Sequence, residues 1–270
     1  MKNEIPVLGV YMSGTGNTKY CVERLARDLD PGAVTTPVES DGTAELIRRA
    51  DLLVLGYPTQ FSNAPLMVRD YIRQQPDLWS GKHIICLTTM GAFSGDGTGC
   101  AARVLRKYGA IVAGGLQVRM PDSVCDKRAL KKSREENHEI VLRAAKKIDQ
   151  AAEQIKNGKY PREGLGFLNH IAGLFGQRLW FYGRTSHYAA GLKIDPEKCV
   201  GCGTCAEVCP MGNIHMQASP SPDPGEKPII RAVPGTRCAM CYRCISLCPS
   251  RAVTLLGTEV VEQCRLEKYL

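Results

Sequence analysis

Short apolar runs alternate with amphipathic stretches along the first 160 residues. Runs of this length, rich in Val, Ile and Leu and bounded by Gly, Pro or Asn, read as buried strands, and the 3.6-residue periodicity between them reads as helix. The pattern predicts strands at Ile5–Tyr11, Ala33–Val38, Asp51–Gly56, His83–Thr89 and Ile111–Val118. Helices are predicted at Asn17–Leu29, Thr43–Arg49, Ala64–Gln74 and Gly99–Tyr108, with a long charged final helix inside Lys127–Lys156 and Asn157-Gly158 as its stop. Such alternation is that of an α/β fold, a doubly wound parallel sheet of five strands with helices on both faces.

The pattern changes after residue 158. Phe167, Leu168, Ile171, Leu174, Phe175 and Leu179 recur at helical spacing and are followed by Trp180, Phe181 and Tyr182. The polar side of this stripe lacks the dense Lys/Arg face of a membrane-surface helix, so it is expected to pack domains together. Gly164, Gly166, Gly173 and Gly176 argue against one regular helix. The chain is therefore read as a first domain over residues 1–158, an apolar docking segment over 159–193, and a small α+β domain over 194–270.

Composition sharpens this division. Of the 13 cysteines, eight fall between residues 199 and 248. A disulfide-rich secreted module is not expected, because the amino terminus reads as a first strand instead of a charged leader with a long apolar core. No run approaches the roughly 18 apolar residues of a membrane span. The expectation is a cytoplasmic protein with reduced thiols. The formal charge of +8 is spread along the chain with no intensely basic segment, which gives no support to nucleic-acid binding.

The chemistry lies in Cys199-Val-Gly-Cys202-Gly-Thr-Cys205-Ala-Glu-Val-Cys209-Pro210 and its repeat Cys238-Ala-Met-Cys241-Tyr-Arg-Cys244-Ile-Ser-Leu-Cys248-Pro249. Three cysteines at two-residue intervals wrap three irons of a cubane, while the fourth, before proline, reaches the other cluster. One 4Fe-4S cluster would use Cys199, Cys202, Cys205 and Cys248; the second would use Cys238, Cys241, Cys244 and Cys209. Paired Cys-x2-Cys also binds zinc, but zinc does not ask for this repeated four-cysteine ladder with its proline. The block has few large apolar residues, so the clusters are expected to staple it as well as carry electrons. Arg243, beside the second cluster, is expected to raise that cluster's potential.

Residues 194–256 resemble a bacterial two-cluster ferredoxin, with Ile194-Asp195 leading into the first motif and Ala252-Val253 following the second. The resemblance implies one-electron cycling at low potential. The chain departs from the compact form by the 28 residues between Cys209 and Cys238, whose Ser219–Pro228 part is expected to be a solvent loop.

After the first strand, Ser13-Gly14-Thr15-Gly16-Asn17-Thr18 opens a helix with small residues and hydroxyls, a cradle for phosphate or simply a capped turn. It lacks the Gly-Lys-Ser/Thr ending of a nucleotide P-loop, and Lys19 stands where a dinucleotide fingerprint needs its third glycine. The hexapeptide resembles the phosphate loop of flavodoxins, and the strand alternation over residues 4–157 resembles their fold. That resemblance implies FMN, its phosphate held by Ser13, Thr15, Gly16, Asn17 and Thr18. Its ring would lie between the loop after strand three, with Pro58, Thr59, Gln60 and Phe61, and the loop after strand four, with Gly91, Ala92, Phe93 and Gly95. Flavodoxins commonly place in the first of these loops a glycine that stabilises the one-electron flavin; residues 57–63 contain none, and Asn63 is the residue there suited to positive φ. The remaining thiols, Cys21, Cys86, Cys100, Cys125 and Cys264, are expected to be packed side chains. The five histidines are scattered and suggest no metal or catalytic set.

Together the halves resemble the flavodoxin–ferredoxin fusion proteins of anaerobic bacteria. The resemblance implies an electron carrier linking FMN, two 4Fe-4S clusters and redox partner proteins. The alternative is a flavin-dependent reductase of a small organic substrate fed by the clusters, with Tyr57 or Asp96 as its only evident proton donors.

Overall fold

The computed structural model describes residues 5–175, 179–181, 187–188, 190–219 and 228–270. Tyr182, Gly176 and most of the expected solvent loop, residues 220–227, lie outside the described residues. Contact clustering divides the chain into two discontinuous units. The first comprises Met1–Pro121, Ser133–Tyr182 and Leu266–Leu270, and the second Asp122–Lys132 and Gly183–Arg265.

In the first unit, β1 (Ile5–Tyr11), β2 (Val34–Pro37), β3 (Ala50–Pro58), β4 (His83–Met90) and β5 (Ile111–Arg119) form an all-parallel sheet in the order β2-β1-β3-β4-β5. The connecting helices are α1 (Asn17–Leu29), α2 (Thr43–Arg49), α3 (Leu66–Gln74), α4 (Gly97–Lys107) and α5 (Arg134–Lys156). Each predicted strand and helix is present. α3 starts at Leu66 instead of Ala64 because Pro65 takes the cap position, where its fixed φ of −52° and missing N–H are tolerated. α5 starts where Ser133 and Glu136 make a reciprocal capping box, and it ends as expected at Asn157, with Gly158 at φ +73°.

Strand side chains alternate between the faces. Val7, Val54, Ile85, Leu87, Leu116 and Val118 enter one core with Cys21, Val22 and Leu25 of α1 and Val141, Ala144 and Ile148 of α5. Leu8, Leu53, Leu55, Ile84 and Cys86, equally buried, serve the opposite face. Arg24 reaches Asp149 by two hydrogen bonds of 2.6 and 2.9 Å, tying α1 to α5. The carboxy-terminal residues return to this core: Leu266 and Tyr269 are each 4 % exposed within it.

Residues 161–165 run beside β5, where Gly115 donates to the Pro161 carbonyl at 2.8 Å and Glu163 donates to the Gly115 carbonyl at 2.9 Å. A short helix α6 (Phe167–Gly173) follows. Its apolar stripe is exposed: Phe167, Leu168, Phe175, Leu179 and Trp180 all face solvent. Polar and small residues make the contacts of this segment: His170 Nδ1 lies 3.0 Å from Asp96 Oδ2, and a Cβ at Gly173 would clash with the same carboxylate.

The second unit has two antiparallel ribbons, β6 (Lys193–Ile194) with β9 (Val253–Thr254) and β7 (Ile214–Ser219) with β8 (Ile229–Pro234). Two short helices, α7 (Thr204–Glu207) and α8 (Arg243–Leu247), follow the cysteine loops. Its core gathers Leu192, Ile214, Ile245, Val253, Leu255 and Val260 around the thiols, and it includes Cys125 from the inserted segment. Among the described residues no helix is long and apolar enough to cross a membrane.

Candidate functional site

The two cysteine loops line two separate cavities. One is bordered by Cys199, Cys202, Cys205 and Cys248; the other by Cys238, Cys241, Cys244 and Cys209. Each cavity therefore takes three cysteines from one motif and the last from the other. Among the described residues no three His, Cys, Asp or Glu side chains converge closely enough to hold a single ion. The four thiols of each set border one cavity, the donor set of a polynuclear cluster and not of two tetrahedral zinc sites built each from one motif.

The electrostatics of each set agree with that donor arrangement. Burial first, then the neighbouring Cys248, Cys199 and Cys202, push the Cys205 thiol up. Burial pushes Cys238 up to about 11, with Cys241 and Cys209 adding to it against the opposing Met240 N–H. Cys244 is raised by burial and then by Cys241, Cys238 and Cys209. Only the exposed Cys202 is lowered, by its hydrogen bonds with Thr204. Crowded, buried thiols resist becoming thiolates by themselves; the positive charge of bound iron would offset that cost. Backbone N–H groups of Asn213, Met240 and Ala252 each lie 3.3 Å from the sulfurs of Cys209, Cys238 and Cys248, placed to carry sulfur charge.

The same loop conformation is built twice from different residues. In the first copy the left-handed positions are Gly201, Gly203 and Gly212, at φ +69°, +79° and +56°; the corresponding residues of the second copy are Met240, Tyr242 and Arg251, at +52°, +63° and +54°. Each non-glycine residue there costs roughly 1–2 kcal/mol, so the second loop needs external support. The inserted segment provides it. Asp126, 4 % exposed, accepts the Tyr242 hydroxyl at 3.0 Å on one carboxylate oxygen. Its other oxygen accepts the N–H groups of Leu255, Leu256 and Gly257 at 2.7, 2.9 and 3.0 Å. Nothing in the sequence pattern pairs Asp126 with a cysteine loop that begins more than a hundred residues later. Arg243 donates to the Val208 carbonyl at 3.3 Å, next to Cys209, so two opposite charges bear on this cavity.

In the first unit the hexapeptide lies at the start of α1. Gly16 is its cap residue at φ +93° with no side-chain cap, and Ser13, Thr15, Asn17 and Thr18 are buried. The 13-residue α1 thus presents an amino terminus to a ring of hydroxyls, which suits a phosphate. Two side chains have structural duties: Asn17 Nδ2 donates to the Pro121 carbonyl at 2.7 Å, and Thr18 Oγ1 bonds Thr89 Oγ1 at 2.8 Å. The carboxy-terminal segment braces the loop, because Leu266 N–H donates to the Thr15 carbonyl at 2.9 Å.

The loops after β3 and β4 are interlocked. Gln60 and Asn63 exchange backbone hydrogen bonds of 2.9 and 3.0 Å across Phe61 and Ser62, both at positive φ (+51° and +55°). The left-handed residues are thus Phe61 and Ser62, not Asn63, and the tip is a primed turn. Thr59 Oγ1 bonds Ser94 Oγ at 2.8 Å, and the Cys100 thiol donates to the Ser62 carbonyl at 3.4 Å. Pro58, Thr59, Gln60, Phe61 and Gly91 are half-buried, Ala92 and Phe93 exposed. Gly95 is buried, with Gly173 and Ser62 against it.

Neither proton donor suggested by the sequence is available for a substrate. Tyr57 is fully buried, its hydroxyl donates to the Gly97 carbonyl at 2.9 Å, and burial raises its pKa far above the ordinary value. Asp96 is fully buried and paired with Arg103 at 2.7 Å and His170 Nδ1 at 3.0 Å. His170 belongs to α6, so the 161–173 segment is anchored on the second of these loops.

Residues 191–252 match the family model of the 4Fe-4S dicluster domain. Similar solved structures include flavodoxin 2 from Bacillus cereus, 18% identical with a TM-score of 0.43, covering 57% of this chain and 99% of that one. Megasphaera elsdenii flavodoxin is 21% identical with a TM-score of 0.40, covering 55% of this chain and 98% of that one. The fold assignment rests on the sheet itself, whose 2-1-3-4-5 order of parallel strands is the flavodoxin-like one. The chain joins a flavodoxin-like α/β unit to a 4Fe-4S dicluster domain.

Proposed function

We propose that the protein carries electrons between FMN and two 4Fe-4S clusters, and from these to redox partner proteins. The observation that carries this reading is the crossed lining of the two cavities, each completed by the proline-flanked cysteine of the opposite motif. When bound, the clusters supply one-electron steps and the flavin two-electron chemistry, so one chain links both kinds of donor and acceptor.

The chain's own residues then have distinct tasks. Cys199, Cys202, Cys205 and Cys248 ligate one cluster, and Cys238, Cys241, Cys244 and Cys209 the other. Ser13 to Thr18 hold the flavin phosphate, mainly through hydroxyls and first-turn N–H groups, since the Asn17 amide and Thr18 hydroxyl also hold the scaffold. Phe61 and the exposed Phe93 edge the ring. The reduced thiols suit the cytoplasm. The test is anaerobic purification with iron, sulfide and flavin analysis, then stopped-flow reduction followed at flavin and cluster wavelengths. Electron exchange between the two chromophores is expected; a loaded protein in which they reduce independently rejects the reading.

A further inference from the structure

Two thiols of the second unit belong to neither cavity. Cys125 and Cys264 are 0 % and 2 % exposed, and the Cys264 N–H donates to Cys125 Sγ at 3.5 Å. Register between their segments is fixed by Val261 and Glu262, whose N–H groups donate to the Cys125 carbonyl at 3.0 and 3.1 Å. Around the pair are donors that apolar filler does not need. Cys264 N–H lies 3.5 Å and Ser246 Oγ 3.3 Å from Cys125 Sγ, and Lys131 Nζ donates to Cys264 Sγ at 2.8 Å.

This surrounding makes the two thiols unequal. The neighbouring Cys264 thiol, helped by Ser246, the Cys264 N–H and Lys131, pulls the Cys125 thiol down against the effect of burial. Cys264 is pushed up by its bond to Cys125 and by burial. Two adjacent sulfurs, each facing hydrogen-bond donors that can carry thiolate charge, are the arrangement from which a sulfur–sulfur bond forms and reopens. Ser246 also lies between Cys244 and Cys248 in the chain, so the pair adjoins the segment that lines both cavities.

We propose that Cys125 and Cys264 form a reversible dithiol–disulfide couple, a third redox site beside the two cysteine cavities. On reduction two electrons break the S–S bond and two protons complete the thiols, with Lys131 stabilising negative charge on the Cys264 sulfur as the bond opens. On oxidation the two thiols release two protons, and their two electrons pass to an acceptor of the flavin or quinone class. The buried sulfurs exchange electrons singly through the neighbouring iron–sulfur clusters, which is the part of the proposal that rests on the cluster reading.

The test uses the full chain, poised anaerobically at a series of potentials with redox mediators, acid-quenched, alkylated and digested, with iron measured on every sample. Both cysteine peptides are expected to lose alkylation together around one midpoint, tenfold per about 30 mV as a two-electron couple requires. A Cys125–Cys264 cross-linked peptide should appear in step. Cys264→Ser should leave Cys125 alkylated at every potential, and Lys131→Met should lower the wild-type midpoint. Titration of the pair in iron-free protein keeps the couple and removes the clusters as its electron source. Full iron content with both cysteines alkylated at all potentials overturns the proposal.

Discussion

Asp126 holds the cluster-bearing unit through four hydrogen bonds, and its replacement gives a graded prediction. Asp126→Ala strands the Tyr242 hydroxyl and the N–H groups of Leu255, Leu256 and Gly257 in a site 4 % exposed. A bond to a charged group is worth about 1.5–3 kcal/mol, and a stranded buried donor costs about 1–3 kcal/mol. Three of the four bonds share one oxygen and are not independent, so the expected loss is about 4 kcal/mol. In Asp126→Asn the amide oxygen can keep the three N–H bonds and the amide nitrogen can donate to Tyr242, so only the charge is lost, about 1–2 kcal/mol. The assay is amide hydrogen exchange at residues 255–257 with the rate of cluster release in urea. If release follows opening of the unit, the alanine variant should be about a thousandfold faster and the asparagine variant about tenfold. Equal effects of the two, or an alanine variant within tenfold of wild type, would refute the clamp.

Four further outcomes follow from the same contacts. Cys248→Ser should remove the cluster bound by Cys199, Cys202 and Cys205 while sparing the other, and Cys209→Ser should do the reverse; iron counting with EPR decides. Gly212→Ala should destabilise the cluster unit by about 1 kcal/mol, because φ is +56° there, and the exposed Arg251→Gly should stabilise it by a similar amount, read as opposite shifts in denaturant midpoint. Arg24 depresses the pKa of Asp149, so their pairing contributes above the ordinary carboxylate pKa near 4 and is lost as pH falls through the lower folded value. Both partners are substantially exposed, so Asp149→Asn should cost no more than about 1 kcal/mol at pH 7 and nothing in strong acid, by urea melts across pH. Deleting residues 266–270 removes buried Leu266 and Tyr269 and should cost the first unit about 3–5 kcal/mol, with weaker flavin retention.

Local rules account for much of what could be read in advance. The alternation of apolar runs with helical stretches predicts five strands and five helices because strand and helix periodicities arise within a few residues. The Asn157-Gly158 stop is equally local. The cysteine ladder was legible for the same reason: ligand spacing is a property of a short loop. Where the reading departed from the structure, hydrogen bonding and close packing decided instead of residue type. Within the apolar stripe Phe167, Leu168, Phe175, Leu179 and Trp180 are exposed, while His170 and Gly173 of the same segment meet Asp96. Asn63 was the residue suited to positive φ, but pairing of Gln60 with Asn63 moves that conformation to Phe61 and Ser62.

The sequence by itself determined the strands, the helices, the phosphate-loop candidate and the two motifs. It could also show that the motifs differ, with Gly201 and Gly203 in one and Met240 and Tyr242 in the other. Only the tertiary structure decided how the second motif tolerates those residues, because Asp126 reaches Tyr242 from an excursion between β5 and α5. It alone also made a pair of Cys125 and Cys264, and returned Leu266 to the phosphate loop. Contacts between residues more than a hundred positions apart leave no period in the sequence, since they are selected by packing of the whole unit and not by local backbone geometry.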